Sequence, residues 1–566
     1  MNEIIWQQWE KIAANNPDKD AIIHWIAGQE PFRWTFSTLL EKAKIYAVHL
    51  KKLGIKRNEV CAIILKHHQD LYPLYMGISA IGAIPAVLAY PNPRLHPEKF
   101  RQGIEGMSKR SGLDWILTET SSLQVINPLV DKKESTIKGI FMPFEHDLSD
   151  IDIRDFEVSS NIKDSDPFLL QHSSGTTGLQ KPVLISHRAI LDHASSYGEA
   201  LRINSDDKVA SWLPLYHDMG LIGSFLLPLL WGIPSVQISP FDWIIAPELL
   251  LIAVSNEKAS LAWMPNFAFN LMAEKIHDED IEELSLSSIR MLINSSEPIR
   301  KESNIRFTDK FKKIGFNPAA ISTLYGMAET TMAVTQTIAG EEPTIVKADR
   351  LELSQGKVVF TQDEKSARIC VSSGKLIRGC EIKIVDDNRR KQPSGMVGEI
   401  AIRSVSLFDG YRNYPEKTKA VMHDRWYFSG DIGFELNGNY YIIGRKKDII
   451  ISAGKNIFPE DVEEMLASIK GLIPGRIVAF GEDSEALGTE LLSVIAETGL
   501  TDEKEIEKLR IEILKAGIFA DIAISNVYFV PQRWLIKSSA GKPGRNTNKE
   551  RILKLNLQMK GDNNDF

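Results

Sequence analysis

From about residue 55 to about residue 340, short apolar runs return at intervals, separated by longer amphipathic stretches. The runs are "VCAIIL", "DWILTE", "FLLQHS", "VASWLPL", "SVQIS", "LAWMPN" and "RMLINS", and "EPIRKESNIRFTDKFKKIG" is typical of the amphipathic stretches between them. A short, continuous apolar run reads as a buried strand, and strands alternating with helical patterns make βαβ units. The rhythm predicts parallel sheets with helices on both faces. In such folds ligands sit outside the carboxyl ends of the strands, so the loops there are the place to look for chemistry.

One of those loops stands out. "QHSSGTTGLQKP", residues 171–182, places Ser173, Ser174, Thr176 and Thr177, with Gly175 and Gly178, directly after an apolar run and ahead of Lys181. Glycines after a strand let backbone amides approach an anion closely, and a phosphate is the natural guest. Taken alone, the stretch reads at least as well as a solvated Ser/Thr/Gly loop.

After residue 340 the texture changes to short β-like pieces: "KVVFTQ", "ARICVSS", "EIKIVDD", "GEIAIRS" and "WYFSGDIGFELNGNYYIIG". These predict a small, largely antiparallel subdomain with turns at "LNGN" and "DDNRRKQPSG". "GRKKD" then interrupts, and a final α+β segment comes after it, with one helix opening on Pro459 and another after Thr501. The domain boundary falls at Lys447, giving units of 1–446 and 447–566. No internal repeat of 20 to 50 residues is visible.

The chain's 566 residues exceed one ordinary domain, and 43% apolar content supplies cores for several. With 67 basic and 74 acidic residues the net charge is −7, so no basic footprint marks a nucleic-acid partner. Cys61, Cys370 and Cys380 have neither metal-site nor disulfide spacing, which suits a reducing, cytoplasmic setting. The first residues carry no export signal pattern. The uncharged stretch 71–90 is long enough to raise the membrane-helix question, but Gly82 and Pro85 divide it into a buried helix and a short strand. Gly232 and Pro234 likewise interrupt "LIGSFLLPLLWGIPSVQI", and no transmembrane segment is expected.

Six further motifs accompany the opening loop, in this order: "SWLPLYHDMGLIG" (211–223), "INSSEP" (293–298), "STLYGMAETT" (322–331), "YFSGD" (427–431), "GRKKDIIISAGKNIFPEDVEE" (444–464) and "LIKSSAGKPGR" (535–545). Each is weak alone. Together they resemble the adenylate-forming superfamily of acyl-CoA synthetases, luciferase-like enzymes and peptide-synthetase adenylation domains, through essentially the whole chain. The resemblance implies an α/β fold: two doubly wound α/β subdomains, a small β-barrel-like subdomain, and a small mobile α+β C-terminal domain hinged at Lys447.

It also implies a chemistry with ATP and Mg²⁺. A carboxylate attacks the α-phosphate of ATP, giving acyl-adenylate and pyrophosphate, so two anions must be brought together and their charge neutralised. By resemblance Ser174, Gly175, Thr176, Thr177 and Gly178 hold the phosphates, with Lys181 nearby. Thr176 and Glu329 are the implied Mg²⁺ partners, a hydroxyl and a carboxylate suited to a hard cation. Tyr325, Gly326 and Met327 face the adenine, with Ser295, Ser296 and Glu297 at its edge. Asp431 takes the ribose hydroxyls, with Arg445 beside it. Lys542 bridges carboxylate and α-phosphate, and His217 orients the acyl carboxylate. Without the resemblance, His217 reads as a core histidine, Asp431 as a turn carboxylate and Lys542 as one base in a basic tail. The chain departs from the pattern at Gln180-Lys181-Pro182, where the usual Pro-Lys-Gly is replaced and a proline removes an amide donor.

About thirty residues intervene between "YGMAETTMAV" and "VSSGKLIRGCEI", where most acyl-CoA synthetases pass quickly to a turn. An insertion there, about 341–368, resembles the fatty acyl-AMP ligases, as do "LPLYHDMGLIG" and "PNFAFNLM"; the β subdomain then spans about 369–446. The implied substrate is a medium- or long-chain fatty acid and the implied partner an acyl carrier protein in trans, since no "DSL"-type attachment serine is recognisable. "WMPNFAFNLM" and "GLIGSFLLPLL" are tunnel candidates, or ordinary core. The alternatives are a fatty acyl-CoA synthetase, an amino-acid adenylation enzyme, disfavoured by Asn266, Phe267 and Ala268 where an aspartate is usual, and a non-enzymatic regulator.

Overall fold

The computed structural model describes residues 3–91, 104–130, 135–159, 161–172, 181–364, 366–452, 455–484, 489–520, 522–537 and 543–562. Among them the largest sheet has nine strands. Its centre is parallel: Ile321–Gly326, Met291–Ser295, Leu261–Pro265, Val209–Ser211, Ser235–Ile238 and Asp20–Trp25 lie side by side in that order. Antiparallel strands close the edges, Phe32–Thr35 on one side and Ala333–Gln336 with Lys375–Leu376 on the other. Two strands from the first 35 residues, Asp20–Trp25 and Phe32–Thr35, thus belong to this sheet, although the apolar rhythm is evident only from residue 55 onward.

A second, wholly parallel sheet orders Ile84–Val87, Val60–Ile63, Trp115–Leu117 and Gly139–Phe141. Its strands are short and nearly continuous in apolar residues, as strands covered on both faces must be. The segment 71–90 forms the buried helix Leu71–Ala80 and the buried strand Ile84–Val87. Among the described residues no helix is long and apolar enough to cross a membrane.

The run "FLLQHS" departs from the parallel expectation. Pro167–His172 pairs antiparallel with Pro182–Ser186, which pairs in turn with Gly410–Tyr411. A parallel return needs a crossover of a dozen or more residues, and only residues 173–181 separate these two strands. Pro182 opens its strand, a position where a missing amide hydrogen costs no ladder bond.

Beyond residue 375 a five-stranded antiparallel sheet is built from Cys380–Val385, Gly398–Ser404, Met422–His423, Trp426–Leu436 and Asn439–Arg445. The last two form a hairpin turned by Asn437 (φ 53°) and Gly438 (φ 76°), the left-handed pair that a two-residue turn requires. Ahead of this sheet, Ile345–Asp349 pairs with Ala367–Val371, and the short helix Arg350–Ser354 lies between them. "KVVFTQ" is not a strand: it makes only the isolated pairings Lys357 with Met396 and Phe360 with Ala348.

From Ile450 onward the chain has an apolar cluster of its own, including Val462, Leu466, Ile477, Leu492, Val494 and Ile513. It lies among the helices Pro459–Ala467 and Glu503–Phe519 and the sheet Leu472–Ser484, Thr489–Thr498, Ile524–Pro531.

Candidate active site

The carboxyl ends of the parallel strands converge as the fold requires, and hydrogen bonds tie the loops that leave them. Ser295, buried at the end of its strand, donates to the carbonyl of Leu324 on the next strand at 3.2 Å. Ser296 comes next, in the left-handed region (φ 67°), and its hydroxyl reaches Met219 Sδ at 3.5 Å. Gln171 Nε2, at the head of the Ser/Thr/Gly-rich stretch 171–182, donates to the carbonyl of Tyr216 at 2.7 Å. His217 stands between these contacts. Its Nδ1 is 2.7 Å from Asp218 Oδ1 and 3.3 Å from the Met219 amide nitrogen. Glu297 turns away from its two neighbours: its Oε2 accepts from the Phe267 amide at 2.8 Å, capping the helix Asn266–Lys275.

Tyr325 and Gly326 end the strand Ile321–Gly326. A Cβ on Gly326 would stand 1.7 Å from the Met332 carbonyl oxygen, so only glycine lets the chain pass there. The Met327 amide closes the same turn, donating to the Met332 carbonyl at 2.8 Å. The Tyr325 phenol donates to Asp431 Oδ2 at 2.8 Å, and Arg445 Nε lies 3.1 Å from Asp431 Oδ1. Asp431 and Arg445 sit opposite each other in the hairpin register, so the pairing of two strands presets the ion pair. Burial, reinforced by the Asp431 charge, pushes the Tyr325 phenol far above its ordinary range, so it stays a neutral donor. The carboxylate beside Arg445 raises the guanidinium's pKa further.

Glu329 is 6% exposed in the turn Ala328–Thr330. Its Oε1 accepts from the Tyr411 phenol at 2.7 Å and lies 3.9 Å from Lys181 Nζ. Lys181 in turn donates to Tyr411 Oη at 3.2 Å. Among the described residues no donor approaches Glu329 Oε2, and a buried carboxylate with one oxygen held and one open suits a hard cation. Lys447, in the turn Lys446–Asp448, is close enough to feel Arg445, Lys181 and Asp431, and burial draws its pKa below the usual lysine range.

The structure therefore gathers Lys181, Tyr325, Gly326, Met327, Glu329, Asp431, Arg445 and Lys447 at one end of the large sheet, with Ser295, Ser296 and His217 alongside. Ser174, Gly175, Thr176, Thr177, Gly178 and Lys542 lie outside the described residues. Of "GEDSEALG" (481–488), which superficially resembles a carrier-protein attachment site, only the first four residues are described, and they end the strand Leu472–Ser484.

A family model described as AMP-binding enzyme matches residues 9–412. This chain belongs to the AMP-binding enzymes. A putative fatty-acid–CoA ligase, fadD25 of Mycobacterium tuberculosis, is 32% identical over 524 residues, 89% of this chain and 87% of that one. The medium-chain-fatty-acid–acyl-carrier-protein ligase TtuA of Teredinibacter turnerae is 26% identical over 463 residues, 74% of this chain and 72% of that one. A structure from a study of fatty acyl-adenylate ligases from E. coli and L. pneumophila superimposes with a TM-score of 0.90 at 23% identity, covering 98% of both chains. The AMP-binding enzyme is thus an adenylate-forming ligase with that α/β fold, a large N-terminal part and a smaller C-terminal one.

Two features of this AMP-binding enzyme escape a reading by motif. Tyr411 is one; it sits in the two-residue strand Gly410–Tyr411, too short to leave a periodic signal. The other is an aromatic group at three adjacent strand ends. Trp212 and Trp243 stack with centroids 3.5 Å apart, and Phe267 meets both edge-on at 6.2 and 6.4 Å. Both indoles are buried, while Phe267 is 37% exposed at the head of "NFAFNLM".

The inserted hairpin meets the C-terminal part directly. Arg368, at the start of its second strand, lies 3.0 Å from Asp461 of the helix Pro459–Ala467, and Arg350 lies 3.9 Å from the same oxygen. The Arg368 guanidinium also donates to the Ile443 carbonyl at 2.6 Å and covers the Phe458 ring. Arg300, three residues after Glu297, pairs with Glu464 and donates to the Glu460 carbonyl at 3.2 Å. Phe458 packs among Val346, Ala348, Leu353 and Cys370.

Proposed function

We propose that this enzyme joins a medium- or long-chain fatty acid to AMP and passes the acyl group to the phosphopantetheine thiol of a separate acyl carrier protein. A carboxylate oxygen attacks the α-phosphorus of ATP and pyrophosphate leaves; the thiolate then attacks the acyl carbonyl and AMP leaves. Asp431 takes the ribose hydroxyls, with Tyr325 and Arg445 fixing its two oxygens. Tyr325, Gly326 and Met327 flank the adenine, while Ser295 and Ser296 shape the neighbouring loop. Ser174, Gly175, Thr176, Thr177, Gly178 and Lys181 hold the phosphates, and His217 orients the acyl carboxylate. Mg²⁺, with Glu329 and Thr176 as partners, supplies positive charge to the phosphates when bound. Lys542 arrives on a C-terminal domain, residues 447–566, that turns about Lys447, neutralises the two reacting anions, and must leave before the thiol enters.

The observation that carries the choice of acceptor is the buried contact between the inserted hairpin and helix Pro459–Ala467, centred on Arg368 and Asp461. A hairpin holding that helix restricts the turn that would open a wide path for coenzyme A. The acyl-carrier-protein ligase among the relatives supports the same acceptor. The fatty-acid–CoA ligase name of the M. tuberculosis relative favours a second reading, transfer to coenzyme A. Offering coenzyme A and a carrier protein bearing its phosphopantetheine arm in competition separates them: the thioester should accumulate on the carrier. Acyl-CoA as the main product would establish the second reading.

A further inference from the structure

Glu329 and Lys181 carry opposite charges 3.9 Å apart, yet they are not joined by a hydrogen bond; a phenol stands between them. Tyr411 donates to Glu329 Oε1 at 2.7 Å and accepts from Lys181 Nζ at 3.2 Å, and the ammonium also lies 5.0 Å from its ring centroid. The phenol is fixed from several sides. Tyr411 pairs with Val183 on the strand that resumes after the phosphate-loop stretch, and its amide donates to Thr418 Oγ1 at 2.9 Å. The Phe408 amide holds the Glu329 main-chain carbonyl at 2.9 Å, so one short segment grips Glu329 at both its backbone and its carboxylate. The ring is 4% exposed and packs on Phe408 at 4.9 Å.

We propose that Tyr411 is a positioning residue of the adenylating site, a spacer that prevents Lys181 and Glu329 from closing into a direct ion pair and presents Glu329 Oε2 to the metal of MgATP. This rests on the proposed role of Glu329 as a metal partner. A direct pair would neutralise the two groups against each other, leaving less negative charge for the cation and less positive charge for the phosphates. The phenol satisfies Oε1 with a neutral donor and so does not cancel its charge.

The test is titration calorimetry of nucleotide binding to the whole protein, with MgATP and with ATP in excess chelator. The proteins are wild type, Tyr411→Phe, Glu329→Gln and the double variant, each first checked for an unchanged thermal midpoint. Tyr411→Phe keeps the ring and the packing and removes only the spacer oxygen. Losing the hydroxyl's bonds to Glu329 and from Lys181 should weaken MgATP about tenfold. Chelated ATP, which feels only the change at Lys181, should weaken less than MgATP does, and the double variant should bind MgATP no more weakly than Glu329→Gln, because the two side chains act as a unit. A higher KM for MgATP with an unchanged KM for the fatty acid would accompany this. If wild type gains nothing from magnesium, the metal role of Glu329 is wrong and the spacer falls with it. If wild type and Glu329→Gln differ as expected while Tyr411→Phe matches wild type, or its loss adds fully to that of Glu329→Gln, the spacer role alone is overturned. Should Tyr411→Phe lower the thermal midpoint, the ratio of MgATP to chelated-ATP affinity, read at a temperature where every variant is folded, decides: a ratio equal to wild type overturns the spacer role.

Discussion

Glu329 and Asp461 are both buried carboxylates, and they are held in opposite ways. Glu329 takes its hydrogen bond from a neutral phenol, with a lysine kept at 3.9 Å. Asp461 faces Arg368 at 3.0 Å with Arg350 beyond it. A carboxylate steadied by a phenol keeps its charge for something that arrives later; one matched to a buried guanidinium is already neutralised and serves docking. The first kind lies at the strand ends of the large sheet, the second at the seam between the inserted hairpin and the C-terminal helix. Asp431 stands between the two, with a phenol on one oxygen and a guanidinium on the other.

The contrast is broken most severely at Asp431. Asp431→Ala strands the Tyr325 phenol and the Arg445 charge at once, and adenylation measured by pyrophosphate exchange should fall about 10³-fold. At the seam, Arg368→Met leaves Asp461 buried without its closest cation, which should cost about 3–5 kcal/mol in denaturant unfolding and raise the share of acyl-CoA formed. The exposed pair Arg378–Glu199 is the control, and Arg378→Met should change stability by less than about 1 kcal/mol.

The smallest effect concerns Lys537, whose pKa is pushed down to about 8 by burial first and then by Arg476, against the pull of Glu297 and Glu497. Its value in the unfolded chain is higher, so between the two the unfolded state binds more protons and stability rises with pH. Lys537→Met removes the burden of a buried charge below about pH 8. Its thermal midpoint should exceed wild type by about 2–4 °C at pH 7, with the gap closing toward pH 10. A gap independent of pH would show that the gain comes from packing.

The parallel core was legible because continuous apolar runs such as "RMLINS" recur between amphipathic stretches. The antiparallel turn of "FLLQHS" was not, since its apolar content is the same in either direction and only the short link 173–181 decides it. Tyr325, Glu329, Asp431 and Arg445 were legible through motif order, and the structure brings them together. Tyr411 was not: its partner Lys181 is 230 residues away in sequence, and no local pattern records such a contact. Arg368 and Asp461 were equally silent. The insertion's length pointed to a resemblance to the fatty acyl-AMP ligases, but which of its charges would meet the C-terminal helix depends on how the chain folds between them.

Everything proposed for this enzyme requires that the large sheet's strand ends and a mobile C-terminal lysine together make fatty acyl-adenylate. Exchange of labelled pyrophosphate into ATP, measured with a series of fatty acids for wild type and Lys542→Ala, probes that requirement head-on. The exchange should require a medium- or long-chain acid and fall at least about 100-fold in the variant. Exchange indifferent to the acid, or equal in the two proteins, would contradict it.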